Sequence, residues 1–261
     1  MQSKFYQPDG RRAEKVHELF ATIARRYDLL NDIMSGGLHR RWKRRLVELA
    51  RGYGTGFNAP TTAGRGTKAA PTFRVLDLCC GTGDIALLFA RTGTCVTGVD
   101  FTMEMLQVAN ARVVQHSNIP ALQHSISWVQ ADALRLPFPD NLFDVVSVGY
   151  GLRNLADIGQ GLREILRVLR PGGRVLSLDF GRPESTGLRW VYFSYLRTVL
   201  PLLGRIFCGD PDTHGYILAS LQDYPAQRGL KSLMEGCGCC DCGFEESVGG
   251  TMAINFGRKP G

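Results

Sequence analysis

The sequence predicts an α/β fold built on a mainly parallel sheet with helices on both faces, and three observations carry that prediction. Apolar runs that suit strands alternate with helix-period segments from residue 73 to about residue 180. The first run, 75–79, leads into a glycine turn that opens a helix, the local pattern of a ligand-binding strand end in open α/β sheets. At 261 residues, with 44% apolar and 21% charged side chains, the chain has the make-up of a globular protein with one principal core.

Residues 11–51 read as helical, because Val16, Leu19, Phe20 and Ile23 recur at helix spacing. The pattern breaks at 31–37 and resumes over 39–51 with a basic cluster, Arg40, Arg41, Lys43, Arg44 and Arg45. Residues 52–71, rich in Gly, Thr and Ala, show almost no apolar periodicity and read as a flexible linker. The predicted organisation is therefore a helical cap over 1–51, a linker over 52–71 and a main domain over 72–261. In that domain the expected order is strand 75–79, helix 84–91, strand 95–99, helix 103–115, strands 126–130 and 144–149, and helix 156–170. A Pro171-Gly172-Gly173 turn and strand 174–180 follow. Beyond them come an amphipathic stretch 186–207, a polar turn, a helix near 227–235 and short strands at 244–248 and 251–257. Residues 184–226 stand outside the alternation and are read as a lid region within that domain.

Composition excludes several classes. The most apolar segment, 188–207, is broken by Arg189, Arg197, Pro201 and Arg205, so no stretch approaches the roughly 18–20 apolar residues of a spanning helix. Residues 1–12 lack the apolar core of a secretory signal, and the expectation is a cytoplasmic protein. Eight cysteines, two of them adjacent at 79 and 80, are poorly spaced for a disulfide framework, so reduced thiols are expected. The balance of 31 Lys and Arg against 24 Asp and Glu gives +7, which suits nucleic acid, an anionic membrane surface or an anionic metabolite without choosing among them.

The turn Cys80-Gly81-Thr82-Gly83-Asp84 holds the first candidate site. Gly81, Gly83 and Ala86, with Asp100 after the second strand, also fit the dinucleotide fingerprint. A pyrophosphate at that helix start would meet Asp77 and Asp84, which repel it. S-adenosylmethionine carries an ammonium and a sulfonium and no phosphate, so these carboxylates favour it over NAD. Asp100 suits a bidentate grip on ribose hydroxyls, and Asp132 suits the adenine amino group. Three strand ends that each supply a carboxylate make a set of ordinary strand-end caps improbable.

With these residues in view the chain resembles the UbiE/MenG family of quinone-ring C-methyltransferases. The resemblance rests on the run from Val75 to Asp84, on Gly98-Val-Asp-Phe101, and on Asp132-Ala133 ahead of Leu136-Pro-Phe-Pro-Asp140. It rests also on Gly151-Leu-Arg-Asn154, Arg170-Pro-Gly-Gly173, and the block that starts Tyr27-Asp-Leu-Leu-Asn and closes on Trp42-Lys43. The resemblance covers nearly the whole chain. It implies a Rossmann-like class I S-adenosylmethionine-dependent methyltransferase with a mainly parallel seven-stranded sheet, an N-terminal helical cap and an inserted lid helix. It also implies donor contacts from Asp77, Gly81, Thr82, Gly83, Asp100, Phe101, Asp132, Ala133 and Gly149. The sequence departs from the family pattern in its longer linker and in Gly149, where several members carry Ser. It departs again in Cys237-Gly-Cys-Cys-Asp-Cys242, which aligns without a gap and reads as small apolar packing. Those four thiols lack the paired spacing of structural zinc sites, so no metal is expected.

The reaction implied is methylation of a ring carbon on a polyprenylated quinol. Cys79-Cys80 resembles members of the naphthoquinone branch, which implies demethylmenaquinol first and the benzoquinol of ubiquinone synthesis second. Arg cannot act as a simple base. Arg153 is accordingly expected to stabilise the quinol oxyanion or polarise a water, with Asn154 orienting and Tyr27 completing the network; Asp28 and His39 stand behind Tyr27. The competing reading is that Arg153 and Asn154 only start a helix. The apolar residues of 188–207 fit a packed helix, one at a homodimer contact, or a lid for the isoprenoid tail, and the basic 40–45 face fits peripheral contact with anionic headgroups. A nucleic-acid methyltransferase is disfavoured, because 149–154 is not the Asn/Asp-Pro-Pro-aromatic motif and no aromatic-interleaved basic strand appears. An NAD-dependent oxidoreductase meets the acids around Gly81, and a non-catalytic donor-binding protein leaves 151–154 unexplained.

Overall fold

The computed structural model describes residues 12–52, 73–115, 125–208 and 212–261. The linker expected at 52–71 therefore lies, beyond Gly52, outside the described residues. Seven strands form one sheet: β1 (Arg74–Leu78), β2 (Cys95–Asp100), β3 (Ile126–Gln130), β4 (Phe143–Gly149), β5 (Leu169–Phe180), β6 (Cys240–Ser247) and β7 (Met252–Arg258). Their order is β3-β2-β1-β4-β5-β7-β6, with β1 to β5 parallel and β7 antiparallel to both β5 and β6.

Alternation along the strands sends successive side chains to opposite faces. Leu76, Leu78, Val146 and Val148 enter one core, and Val75, Val96 and Val145 enter the other. Both faces are covered by helices, as a sheet with apolar residues on both sides requires. Three helices precede the sheet: α1 (Arg12–Ile23), α2 (Tyr27–Ser35) and α3 (Leu38–Gly52). Between the strands run α4 (Asp84–Ala90), α5 (Met103–Gln115) and α6 (Ile158–Val168). Between β5 and β6 the chain makes α7 (Thr186–Cys208), α8 (Asp212–Asp223) and α9 (Ala226–Gly236).

Three local expectations are corrected. Helix α2 runs through Ser35, so the break expected over 31–37 narrows to Gly36 and Gly37, whose φ of +57° and +79° glycine adopts without strain. The polar turn expected after 207 is replaced over much of its length by α8, whose Tyr216, Ile217 and Leu221 are buried. Packing of that face, more than propensity, stabilises so short a helix. Pro171-Gly172-Gly173 falls within the span of β5: pairing with β4 shifts from Phe143 and Leu169 to Val145 and Arg174, so residues 170–173 bulge away from β4, while Gly172 N–H donates to the Lys259 carbonyl at 3.0 Å and Lys259 N–H to that of Gly173 at 2.8 Å.

Helix α7 turns Tyr192, Leu196 and Leu200 inward at four-residue spacing, while Trp190, Val191 and Leu202 stay exposed. Tyr195 donates from its hydroxyl to the Met34 carbonyl at 3.0 Å and so ties α7 to α2. In the cysteine-rich tail Cys239 is buried, and Cys242 Sγ packs 3.0 Å from where a Cβ on Gly257 would stand. The thiols of Cys237, Cys240 and Cys242 donate to three different carbonyls, those of Gly159, Arg258 and Cys240. Among the described residues no three His, Cys, Asp or Glu side chains converge as metal ligands.

Trp128 on β3 sits over two glycines of the donor region. A Cβ on Gly83 would lie 2.6 Å from its ring, and one on Gly98 2.3 Å. Gly98→Ala is thus expected to cost about 1–3 kcal/mol in urea unfolding. Combined with Trp128→Leu, the loss should fall short of the sum of the two single losses by at least about 0.5 kcal/mol; strict additivity would show that the ring does not impose the glycine.

Candidate active site

The strand order reverses at β1, whose neighbours are β2 on one side and β4 on the other, and a crevice opens at the carboxyl ends of β1 and β4. Both strands leave that crevice through a non-glycine residue in the left-handed region, Cys79 at φ +54° and Tyr150 at φ +61°. Such conformations cost on the order of 1–3 kcal/mol each and cluster at functional sites. Tyr150 is held by its N–H donating to the Leu178 carbonyl at 2.7 Å.

Three neighbouring spaces line the crevice. The largest, about 260 Å³, is mainly apolar, with Leu30, Met34, Leu196, Leu200 and Ile217 among its walls. Tyr27, His39, Tyr150, Arg153 and Tyr216 bring it polar atoms. A second space of about 120 Å³ is lined by Cys79, Asp100, Phe101, Asp132, Ala133 and Asn154. A narrow cleft between them is bordered by Asp77, Gly81, Thr82, Asp84 and Gly149, and by Tyr27 and Tyr150, which also face the apolar cavity.

The carboxylates do different work. Asp77 is buried and accepts from Ala86 N–H at 2.9 Å and Ser147 Oγ at 2.8 Å, so it pins α4 to β1 and β4. Burial pushes its carboxyl up to about 7 against those hydrogen bonds. Asp100 accepts from Gly81 N–H at 2.8 Å on one oxygen and from Thr102 N–H at 2.9 Å on the other. Each oxygen keeps a second lone pair for a ligand hydroxyl. Asp132 is exposed and accepts from Leu134 N–H at 2.9 Å.

Asp84 corrects the charge argument drawn from the sequence. Lys43 Nζ lies 2.6 Å from one of its oxygens and Arg112 2.6 Å from the other. Burial raises the carboxyl, but the two cations overcome it and bring it down to about 2. Its charge is therefore already matched inside the protein. Asp28 joins the same network, accepting from Thr82 Oγ1 at 2.8 Å and Arg112 at 3.0 Å. Helices α2 and α3 are in this way clamped onto the donor loop.

Arg153 lies at the floor of the apolar cavity, 3% exposed, and not at an open mouth. Its Nη1 donates to Asp179 Oδ1 at 2.5 Å, its Nη2 reaches the Tyr216 hydroxyl at 3.4 Å, and its guanidinium stacks 4.8 Å from the Phe180 ring centre. Burial opposes the charged form, but Asp179 outweighs it and holds the guanidinium protonated.

The structure thus brings Arg153 and Tyr27 to one cavity and places Asn154 on the other, where its Nδ2 donates to the Tyr150 carbonyl at 3.3 Å. Asp100, Phe101, Asp132 and Ala133 share the second space; Asp77, Gly81, Thr82 and Gly149 border the cleft. Gly83 turns its Cα toward Trp128 and Ala109, so its glycine is explained by packing. Sequence reasoning missed Tyr150, Asp179, Tyr216 and Lys43. Only Lys43 carried a signal, as a member of a quoted block; Asp179 and Tyr216 come from segments read as strand and turn.

The family model described as the ubiE/COQ5 methyltransferase family matches residues 9–259. The chain belongs to that family. A "Ubiquinone/menaquinone biosynthesis C-methyltransferase UbiE" of Azotobacter vinelandii is 39% identical over 97% of this chain and 93% of its own length. The protein of that name from Pseudomonas aeruginosa is 37% identical over 97% and 92%. Among solved structures, a SAM-dependent methyltransferase of Thermotoga maritima matches with a TM-score of 0.55 at 16% identity, covering 91% of this chain and 98% of its own. A phosphoethanolamine N-methyltransferase of Haemonchus contortus, solved with S-adenosylhomocysteine, matches at 0.56 and 17% identity, over 83% and 52%. At those identities the structures establish the fold, that of S-adenosylmethionine-dependent methyltransferases. The ubiE/COQ5 family uses S-adenosylmethionine, and the crevice fits it: Asp100 is preset by two backbone donors and Gly81 has no Cβ to fill the cleft.

Asp100→Ala is expected to weaken S-adenosylmethionine binding more than tenfold, since charge-assisted hydrogen bonds are worth about 1.5–3 kcal/mol. Because the substitution also deprives Gly81 and Thr102 of their acceptor, Asp100→Asn serves as the milder companion. Calorimetric affinities equal to wild type in both folded variants would remove Asp100 from the donor site.

Proposed function

We propose that the protein transfers a methyl group from S-adenosylmethionine to a ring carbon of a polyprenylated quinol, with demethylmenaquinol as the acceptor and the benzoquinol of ubiquinone synthesis as the alternative. The observation that carries this reading is a mainly apolar cavity with one buried, permanently charged guanidinium at its floor, directly beside the donor cleft. The relatives named for ubiquinone and menaquinone synthesis support it. Cys79, on the walls of both donor spaces, fits the naphthoquinone branch by the resemblance noted in the sequence.

S-adenosylmethionine supplies an electrophilic sulfonium methyl; the chain's residues do the rest. Asp100, Phe101, Asp132 and Ala133 hold the nucleoside end, and Asp77, Gly81, Thr82 and Gly149 border the methionine end. Tyr27 and Tyr150 form the wall common to donor and acceptor, so they set the approach of one to the other, which is where alignment acts on the barrier. Arg153 faces the acceptor oxygen as negative charge develops there, a preorganised contact that strengthens where water is excluded. Asn154 braces the turn through the Tyr150 carbonyl.

The cavity is smaller than the roughly 300–1,000 Å³ of sites that enclose a drug-sized ligand. A ring fits and a long tail must leave. Leu38 and Val248, 42% and 55% exposed, stand at the rim. That rim continues into a groove bearing Arg41, Arg44 and Arg45. The outward Trp190, Val191 and Leu202 of α7 add an exposed apolar strip. Together they suit peripheral seating on an anionic membrane surface, with 1–51 as cap and 184–226 as lid; among the described residues no helix is long and apolar enough to cross a membrane.

Turnover by Arg153→Met should fall roughly 10² to 10³-fold with donor affinity retained, the loss typical of one preorganised donor. Removing the guanidinium alone strands Asp179 as a buried charge, at about 3–5 kcal/mol. Arg153→Met with Asp179→Leu is expected to restore the melting temperature and not the activity, and Arg153→Lys to recover activity in part. Normal turnover by the folded double variant would make the pair purely structural. Purified protein assayed with demethylmenaquinol and with the benzoquinol decides the branch; methylation of neither overturns the reading.

A further inference from the structure

The acceptor cavity contains a proton acceptor that the oxyanion role of Arg153 leaves unassigned. Resting on the functional reading above, we propose that His39, oriented by Asp32, is the general base that receives the acceptor's hydroxyl proton.

His39 lines the apolar cavity and is 2% exposed. It stands in the first turn of α3, while Asp32 stands in the last turn of α2. The left-handed pair Gly36 and Gly37 folds the two helices back on each other and brings the side chains into contact across seven positions. Nε2 lies 2.8 Å from Asp32 Oδ1. Asp32 is itself fixed by Arg40, whose Nε and Nη2 donate at 2.8 and 2.5 Å. With Nε2–H donating to the carboxylate, Nδ1 holds the lone pair, and Nδ1 is buried without a hydrogen-bond partner. A buried polar atom left unpaired is costly, and a reacting proton is one way to satisfy it. A carboxylate on the far nitrogen is the arrangement that fixes the tautomer of a histidine base and stabilises the imidazolium once formed.

The other polar groups on that wall do not compete. Burial raises all five tyrosines that line the cavity, so none is a tyrosinate near neutral pH. Arg153 is held protonated. Burial holds His39 below the ordinary histidine range against its bond to Asp32. Of the charged groups around it, Lys43 on α3 opposes protonation, and Asp32 on α2 and Asp84 on α4 favour it. Arg40 pulls the Asp32 carboxyl down, so Asp32 stays ionised wherever His39 titrates. The imidazole is thus neutral at rest and supported by a carboxylate when a proton arrives.

In the proposed step the hydroxyl O–H bond breaks, its proton passing to Nδ1 and its electron pair remaining on oxygen beside Arg153. The ring carbon forms a bond to the methyl carbon as the S–C electron pair returns to sulfur, giving S-adenosylhomocysteine. The methylated carbon then loses its hydrogen as a proton to water, which restores aromaticity, and the oxygen recovers the proton from the imidazolium. One proton is released overall.

The test measures the pH profile of kcat with demethylmenaquinol for the wild type, His39→Asn and Asp32→Asn, alongside calorimetric S-adenosylmethionine affinity. The wild type should lose activity as pH falls through a limb below the ordinary value of about 6.5. His39→Asn should lose about 10² to 10³-fold in kcat near pH 7, within the range general bases contribute. It should also lack that limb, recover with rising pH as the hydroxyl ionises unaided, and bind S-adenosylmethionine as wild type does. Asp32→Asn, at a partly exposed position, removes the support of the imidazolium and should shift the limb to lower pH with about a tenfold drop in kcat. If His39→Asn does not fold, Asp32→Asn decides alone, because a structural role lowers the melting temperature and leaves the limb in place. A folded His39→Asn within about threefold of wild-type kcat, or an unmoved limb in Asp32→Asn, overturns the assignment. A wild type that methylates neither quinol overturns the functional reading itself, which is a separate outcome.

Discussion

The reversal of strand order at β1 is the constraint on which the rest of the molecule depends. Because β2 and β4 flank β1 on opposite sides, the connections that leave β1 and β4 diverge, and the carboxyl ends of those strands lie uncovered by their own crossovers. Two residues with left-handed backbones, Cys79 and Tyr150, occur at just those ends. Their strain is tolerable because each is locked by its neighbours: Cys80 N–H donates to the Val99 carbonyl at 2.9 Å, and Tyr150 N–H to that of Leu178 at 2.7 Å. The sheet's buried ladder therefore holds the crevice in a conformation the loops alone would not keep.

A crevice left open by topology still needs walls, and these come from segments distant in sequence. Helices α2 and α3 close one side through Asp28, Lys43 and their partners Thr82, Arg112 and Asp84. Such a network in a half-buried setting is screened far less by salt than a surface pair. It also gives the donor cleft a fixed electrostatic character: Asp84 is neutralised locally, Asp77 is held near its titration point by burial, and Asp100 keeps two backbone donors. Helices α7 and α8 close the other side with apolar side chains and Tyr216.

Most of the sheet was legible in the sequence because its strands obey one simple rule, burial on both faces, and its helices another, a 3.6-residue apolar period. That the crevice gathers Asp77, Asp100 and Asp132 was legible for a related reason: they sit at or beside strand ends, and topology alone gathers strand ends. The acceptor side was not. Tyr216 belongs to a short helix with a mixed face, Asp179 is the next-to-last residue of a strand whose 175–178 run is mostly apolar, and Tyr150 is an aromatic between two glycines. Nothing local distinguishes these residues from packing; Tyr150 and Asp179 meet Arg153 through the paired ends of β4 and β5, and Tyr216 through the path of the chain between β5 and β6. Asn154 shows the converse, since its neighbour in sequence, Arg153, turns to a different cavity across a single turn of 3₁₀ helix. Asp84 shows that a charge read from sequence says little until its counterions are placed.

The cavity joins two requirements that oppose each other. An apolar acceptor is held best by walls that exclude water, yet negative charge on its oxygen is stabilised only by a positive group inside those walls. A lone guanidinium in such a place would be costly to desolvate, and Asp179, buried at 3% exposure, offsets that cost. The offset has its own limit, because a carboxylate 2.5 Å away also consumes much of the field that Arg153 presents to a ligand. The Tyr216 hydroxyl on Nη2 and the stacking on Phe180 fix the plane of the guanidinium in the cavity wall. In the function proposed, the acceptor would meet a positioned guanidinium with reduced net charge, suited to an oxygen that becomes anionic for the span of one step and is neutral before and after it.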